Sequence, residues 1–313
     1  MADNTALQQR HFDYVLGPNQ DSRLASVAAG AVVEEVLLQT DSDAPFMLTG
    51  RAVRHAYSSA LTQADLDGLK VKWTGPTRDF RQQSWCLESL AMAYYGAYGN
   101  PKPIVPGILY PARSVLMVNL KNSGSTTITN LSFYFRGFKL FPEGAVPAYT
   151  YPHAWPRDGV PIKGQTFSYP VPVLALGVSE TRLNQIWSCK GDADFVLRGG
   201  QGIVISSSGG RTLAEVAIIL RDQHKNPYSN DYVPFDILFG TGAFPATVPV
   251  GPTPSFVTPF GTGPGQPGLF YAEIYVKKNH QLIYDLQRAD GAGGSNQAED
   301  FQFNFIGGKV WEK

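Results

Sequence analysis

Two short acidic segments, Asp41-Ser42-Asp43 and Asp192-Ala193-Asp194, are where residue type and spacing first suggest chemistry. Carboxylates two apart in a loop can share a calcium ion, which seeks oxygen ligands. The rest of a coordinating loop is missing from both, and aspartates are equally at home in ordinary turns. Histidine gives less: His11, His55, His153, His224 and His280 lie far apart, with no His-x-His or His-Glu-x-x-His spacing for zinc. No Gly-x-Ser-x-Gly elbow exists, and no thiol-protease motif surrounds Cys86 or Cys189. Those cysteines lie close to Trp85 and Trp187 and read as reduced core thiols. Gly199-Gly200-Gln201-Gly202 and Gly209-Gly210 are not followed by Gly-Lys-Ser/Thr, so they read as turns rather than phosphate loops. A glycosidase needs two carboxyl groups about 5 to 10 Å apart, and no motif selects such a pair from Glu88, Glu143, Asp222 and Asp300. Two aromatic groups, Tyr149 with Tyr151 and Trp155, and Tyr94 with Tyr95 and Tyr98, either stack on sugar rings or pack the core and an interdomain seam. The expectation is a protein with no catalytic residue, no metal and no cofactor.

The elements that would position such residues are β-strands. The 313 residues include 32 Gly and 23 Pro beside 18 Phe and 15 Tyr, which favours turns and strands over helices. Lys and Arg together number 26 and match 26 Asp and Glu, so the basic stripe of a nucleic-acid binder is not expected. Met1-Ala2-Asp3-Asn4-Thr5 lacks the basic start and apolar run of a signal peptide, and no run of 18 apolar residues occurs. The expectation is a chain made in the cytoplasm that neither enters a membrane nor binds nucleic acid.

The chain also contains itself twice. Asp43 to Gly50 (DAPFMLTG) returns as Asp192 to Gly199 (DADFVLRG), and Pro106 to Tyr110 (PGILY) as Pro267 to Tyr271 (PGLFY). Leu116 to Leu120 (LMVNL) returns as Leu282 to Leu286 (LIYDL), and Phe133 to Phe141 (FYFRGFKLF) as Phe303 to Trp311 (FNFIGGKVW). Four matches in one order imply duplication of one β module. The expected fold is all-β: two tandem β-sandwiches of jelly-roll type, residues 12–145 and 165–313, with one or two short helices. The helical candidates are Thr62-Gln63-Ala64-Asp65, which resembles a capping box, and Cys86 to Tyr95. Ser114 to Leu120 and Thr127 to Phe135, around a polar turn, read as a hairpin or near-hairpin. Phe133 and Phe135 share a strand face, and a bulge at Gly137 would turn Lys139 outward, with Gly307 and Lys309 following suit. Glu215 to Arg221 (EVAIILR) reads as a strand despite the capping-box pattern at Thr212 to Glu215, because β-branched residues cluster there.

Three segments fall outside the repeat. Residues 1–11 are polar and read as an arm, while residues 146–164, rich in proline and aromatics, read as a stiff linker. Residues 243–268 hold seven prolines and almost no charge, so they cannot form a central strand. This loop either folds back on its own domain or drapes over a neighbouring subunit. In the second case Phe244, Val248, Val250, Phe256, Val257 and Phe260 form the interface.

The neutral, Gly/Pro/aromatic-rich duplicated module resembles structural proteins of tailed-bacteriophage virions. Leu116 to Phe141 (LMVNLKNSGSTTITNLSFYFRGFKLF) and the matching Leu282 to Trp311 carry the resemblance. It implies a non-enzymatic virion component, a capsid decoration or cement protein or a head-tail or tail subunit, made in the host cytoplasm. Its partners would be copies of itself and other virion proteins. The competing expectation is a carbohydrate- or receptor-binding β-sandwich.

Overall fold

The computed structural model describes residues 7–54, 68–78, 86–87, 102–142, 163–206, 216–234, 238, 268–288 and 298–311. The first module contains β1 (Leu7–Leu16), β2 (Ser26–Val27), β3 (Val32–Gln39), β4 (Phe46–Arg54), β5 (Leu69–Trp73), β6 (Cys86–Leu87), β7 (Lys102–Tyr110), β8 (Val115–Asn122), β9 (Ile128–Thr129) and β10 (Ser132–Pro142). The second contains β11 (Lys163–Leu176), β12 (Thr181–Ser188), β13 (Asp194–Ser206), β14 (Val216–Arg221), β15 (Val233–Pro234), β16 (Gly268–Val276), β17 (Gln281–Arg288) and β18 (Glu299–Trp311). The strands follow from side-chain alternation. Leu69, Val71 and Trp73 of β5, Leu116, Val118 and Leu120 of β8, and Val216, Ile218 and Leu220 of β14 are buried, and the residues between them face outward. A 3₁₀ turn at Ser22–Ala25 is capped by Asp21, whose carboxylate accepts from the Arg23 amide at 3.0 Å.

The strand order is a jelly roll, made twice. In the first module the sheets run β1-β10-β4-β7 and β3-β8-β5-β6; in the second they run β11-β18-β13-β16 and β12-β17-β14-β15. Substituting β11 for β1, β12 for β3, β13 for β4 and so on to β18 for β10 turns one description into the other. The paired sheets face each other across an apolar core. In the second module Trp187 of β12 meets Tyr169 of β11, Phe195 of β13 and Phe305 of β18 at ring-centroid distances of 4.9, 5.7 and 5.1 Å. Such ring pairs add about 0.5–1.5 kcal/mol each beyond the area they bury. In the first module the Tyr110 hydroxyl of β7 donates to the carbonyl of Thr74, just past β5, at 2.7 Å.

The duplication extends to the irregularities. β3 slips register against β8 between Val33 and Val36, with Glu35 at φ 55°; β12 slips against β17 between Arg182 and Gln185, with Asn184 at φ 53°. Each left-handed residue is held the same way: the Glu35 amide donates to Asn119 Oδ1 at 2.8 Å and the Asn184 amide to Asp285 Oδ1 at 2.7 Å. β4 jumps against β7 from Leu48↔Ile108 to Gly50↔Pro103, and β13 against β16 from Leu197↔Ile274 to Gly199↔Leu269. The second sequence match is corrected by this register. Phe46 pairs with Tyr110 and Phe195 with Val276, so the counterpart of Tyr110 is Val276 rather than Tyr271.

Three further readings change. The expected bulges are not formed at these glycines: β18 runs in continuous register with β11 through Gly307, with the slip on β13 between Leu197 and Gly199, and in β10 Phe133, Phe135, Gly137 and Lys139 are all buried, as unbroken alternation requires. Lys139 and Lys309 are therefore buried, on the same face as Phe133, Phe135, Phe303 and Phe305. Glycine is required for another reason, since a Cβ at Gly137 would lie 1.9 Å from the Met47 carbonyl oxygen and one at Gly307 1.9 Å from that of Val196. β8 and β10 are not a hairpin; they lie in different sheets, because the jelly roll crosses from one sheet to the other there. Cys86 and Leu87, read as the start of a helix, pair as a strand with Val71 and Lys70. Residues 62–65 and 88–95 lie outside the described residues. So do residues 146–162 of the expected linker, whose last two residues, Lys163 and Gly164, already belong to β11. Residues 7–11 of the expected arm belong to β1.

By proximity the chain divides into two compact units, one spanning residues 13–137 and the other residues 138–290 and 294–313 with the start of β1 up to Phe12. Within the first, Arg136 of β10 grips Asp13 of β1 through two hydrogen bonds at 3.0 and 3.1 Å, and both side chains are buried. Within the second, the turn after β14 is built around Asp222, whose Oδ1 accepts from the amides of His224 and Asn226 at 2.8 and 3.0 Å. Arg10 closes that turn: its Nη2 lies 3.0 Å from Asp222 Oδ2, donates to the Asn226 carbonyl at 2.9 Å, and its guanidinium sits 4.7 Å from the Tyr228 ring centroid.

Candidate functional site

The second acidic segment sits at one end of the second module, in the connection between β12 and β13. Lys309 of β18 reaches it from the core face, with Nζ 2.6 Å from Asp192 Oδ2. That bond holds the Asp192 carboxyl below the usual carboxylate range and the Lys309 ammonium above the usual lysine range. Asp194 accepts from the Lys278 amide at 2.8 Å and from the Tyr275 hydroxyl. Both carboxylates are thus occupied by the protein's own donors. In the first module the Asp41 amide donates to the Tyr14 hydroxyl at 2.7 Å, and burial, then the negative charge of Asp41 and Asp43, raises that phenol. Among the described residues no group of three or more His, Cys, Asp and Glu side chains is placed to share a cation.

Cys189 borders this cluster and is not an activated nucleophile. Its thiol donates to the Ala193 carbonyl at 3.5 Å, and burial, followed by the charges of Asp194 and Asp192, pushes it up to about 12. A reactive cysteine needs the opposite environment, one that favours the thiolate. Burial likewise raises Tyr169, whose ring lies 5.7 Å from Lys309 Nζ. The arrangement fastens a connection to the closing strand; it does not poise a base or a nucleophile.

The remaining candidates from the sequence are dispersed. His11 is buried in β1, His224 lies in the Asp222 turn, and His280 precedes β17. Asp222 is held by Arg10 and Asn226, and Asp300, near the start of β18, accepts from the Ala175 amide at 2.7 Å. Glu88, Glu143, His55 and His153 lie outside the described residues. So do the aromatic groups at 94–98 and 149–155 and all six expected interface residues, Phe244, Val248, Val250, Phe256, Val257 and Phe260.

A different surface stands out among the described residues. The large exposed apolar side chains are Val32 and Leu37 of β3, Leu183 and Ile186 of β12, and Leu109 of β7. β3 and β12 occupy corresponding outer positions in their sheets, and Leu37 and Ile186 occupy corresponding positions two residues past the shared slip. They are 53% and 57% exposed. Both outer strands are covered at the slip: Arg23 donates to the carbonyls of Glu34 and Glu35 at 2.9 and 3.1 Å, and the Gln185 side chain to that of Leu183 at 3.0 Å. This blocks indiscriminate strand addition while leaving apolar side chains in water. The sequence signal was Val36-Leu37-Leu38, an apolar run in which strict alternation forces one member outward.

No protein-family model matches the sequence, and no curated protein matches it. Among solved structures it is similar to a peptide-N(4)-(N-acetyl-beta-D-glucosaminyl) asparagine amidase, at 11% identity over 98% of this chain and 96% of that one, with a TM-score of 0.19. It is also similar to the tandem CBM22-1–CBM22-2 domains of Paenibacillus barcinonensis Xyn10C, at 10% identity over 96% of this chain and 99% of that one, again with a TM-score of 0.19. Superposition that poor carries no argument about function. Among the described residues no helix is long and apolar enough to cross a membrane.

Proposed function

We propose that the protein is a non-enzymatic structural component of a bacteriophage virion, acting through contacts with copies of itself and with other virion proteins. The observation that carries this reading is the tandem jelly roll with matching outer strands. Eight-stranded jelly rolls recur in viral capsid and lectin domains, and this step is an analogy at the level of fold. Two features favour protein contact over sugar binding. The large exposed apolar side chains of the described residues are aliphatic, suited to packing against another protein rather than stacking on pyranose rings. The carboxylates of Asp192 and Asp194 are already taken by donors of this chain, which leaves them poorly placed to bind sugar hydroxyls.

The test is the state of the purified protein. Light scattering and electron microscopy should show assemblies of many chains, growing with concentration. A chain that stayed single at tens of micromolar and was retained by immobilised glycans would replace this reading with the carbohydrate-binding one.

A further inference from the structure

We propose that the turn after β14, residues 222–228, is a preformed binding site for a guanidinium group, in which Arg10 is a separable guest. The start of β1 is thereby a strap that the turn can hold or release.

The turn closes on bonds of its own. The Lys225 amide donates to the Asp222 carbonyl at 2.9 Å, the Asp222 amide to the Asn226 carbonyl at 3.0 Å and the Tyr228 amide to the Leu220 carbonyl at 2.9 Å. Inside it the Asp222 carboxylate accepts the His224 and Asn226 amides on Oδ1 and the Asn226 side-chain amide on Oδ2 at 2.9 Å. Arg10 has no part in any of these. So built, the turn gathers Asp222 Oδ2, the carbonyls of Asn226 and Pro227, and the Tyr228 ring around one place. Arg10 Nη2 meets the three oxygens while the guanidinium carbon rests over the ring, and the side chain is only 10% exposed. A guanidinium suits such a place because it is weakly hydrated and lies well on an aromatic face; an ammonium would have to shed tightly held water.

The first module holds the matching turn without the site. Because β5 meets β8 as β14 meets β17, Gly75 corresponds to Asp222 and Arg78 to Lys225. The Arg78 amide donates to the Gly75 carbonyl at 3.0 Å, and Arg78 and Lys225 are both left-handed, at φ 61° and 65°. The bend therefore needs no carboxylate. Asp222 is an addition to it, with a side chain only 3% exposed. A buried carboxylate is costly without a cation beside it, so the turn draws one in when Arg10 is withdrawn.

Hydrogen exchange of the full chain, read by mass spectrometry, tests this in Arg10→Ala. The start of β1 should exchange about tenfold faster or more, the equivalent of one hydrogen bond to a charged group, while the His224 and Asn226 amides keep the protection of the parent chain. Ethylguanidinium, added in rising concentration, should then slow exchange across residues 222–228 and raise the melting temperature, levelling off as the site fills. Ethylammonium should need about tenfold more for the same effect. The parent chain, whose site Arg10 fills, should not respond, and neither should Arg10→Ala combined with Asp222→Asn, which keeps an oxygen for the two amides but removes the charge. Arg10→Gln, which keeps part of the stem, carries the same measurements if Arg10→Ala does not fold. Loss of protection at His224 and Asn226 in these variants, or an equal response to the two cations, would overturn the proposal.

Discussion

The two modules share a backbone but not their buried charges. At the closing strand, Gly137 and Gly307 press on equivalent carbonyls, and the lysine two residues on is buried in both. Each lies over an aromatic ring, Lys139 with Nζ 3.9 Å from the Phe12 centroid and Lys309 with Nζ 5.7 Å from that of Tyr169, and Lys309 is also paired with Asp192. The neighbouring charges then diverge. Arg136, gripped by buried Asp13, has Ile306 as its counterpart, and buried Asn122 has buried Arg288. The difference teaches which features the fold itself imposes. A clash between a Cβ and a backbone oxygen has no remedy except glycine, so both copies carry it. A buried charge needs only some partner, so each copy finds its own.

Breaking the Asp13–Arg136 pair should have the largest effect. Arg136→Met leaves a buried carboxylate without its bidentate partner, at a cost of about 3–5 kcal/mol. Joint replacement with Asp13→Leu should recover most of it, since Ile306 shows that the second module manages with an apolar residue there. Denaturant unfolding of the two variants checks this; equal losses would mean the pair is not the controlling contact.

Gly137→Ala and Gly307→Ala should come next, each destabilising its own module by about 3 kcal/mol, near the top of the usual range for overpacking. The two losses should be alike. Site-resolved hydrogen exchange would show whether each substitution loosens its own sheet first. Asn119→Ala should cost less, about 1 kcal/mol, for the lost hydrogen bond to the Glu35 amide. A loss of several kcal/mol would mean that the slip in β3 depends on more than this contact.

The smallest effect is a pH dependence in the second module. Asp192 is lowered and Lys309 raised by their mutual hydrogen bond. The carboxylate's contribution is present above its unfolded value, about 3.9, and is lost as pH falls through the lowered one. The ammonium's contribution is present below about 10.4 and is lost as pH rises through the raised value. Because Asp192 is 51% exposed, solvent screens the pair and the slopes should be shallow. Lys309→Met should flatten both limbs of the stability profile. An unchanged profile would show that the pair is energetically silent.

Much of the fold was legible in the sequence because strands announce themselves by alternation and duplicated strands announce themselves twice. Three of the four matched segments are aligned as the strands align: 43–50 with 192–199, 116–120 with 282–286, and 133–141 with 303–311. The fourth failed because Pro-Gly before an apolar run is common turn punctuation; the true alignment is set by the jump of β7 against β4, which leaves no mark in residue types. The outward turn of Lys139 failed for a related reason. Glycine in a strand signals either a bulge or a close backbone approach, and only the position of Met47 decides between them. Alternation in Val36-Leu37-Leu38 forces one member outward, but an apolar residue beside a buried one reads as core until the outer strand is known, and no residue type marks β3 as that strand. That Val216 to Arg221 is a strand was legible from its β-branched residues despite a helix-like start.

The Arg10 clasp carries a consequence for how the molecule is made. Its partner carbonyl at Asn226 lies 216 residues further along the chain. At ribosomal speeds of roughly 5–20 residues per second, the first strand emerges about 10 to 40 s before that partner exists. During this interval the start of β1 has neither its turn nor its ring to rest on. It is translated long before its contacts can form and is among the last parts completed, so a chaperone that shields an unpaired nascent strand would find its substrate there.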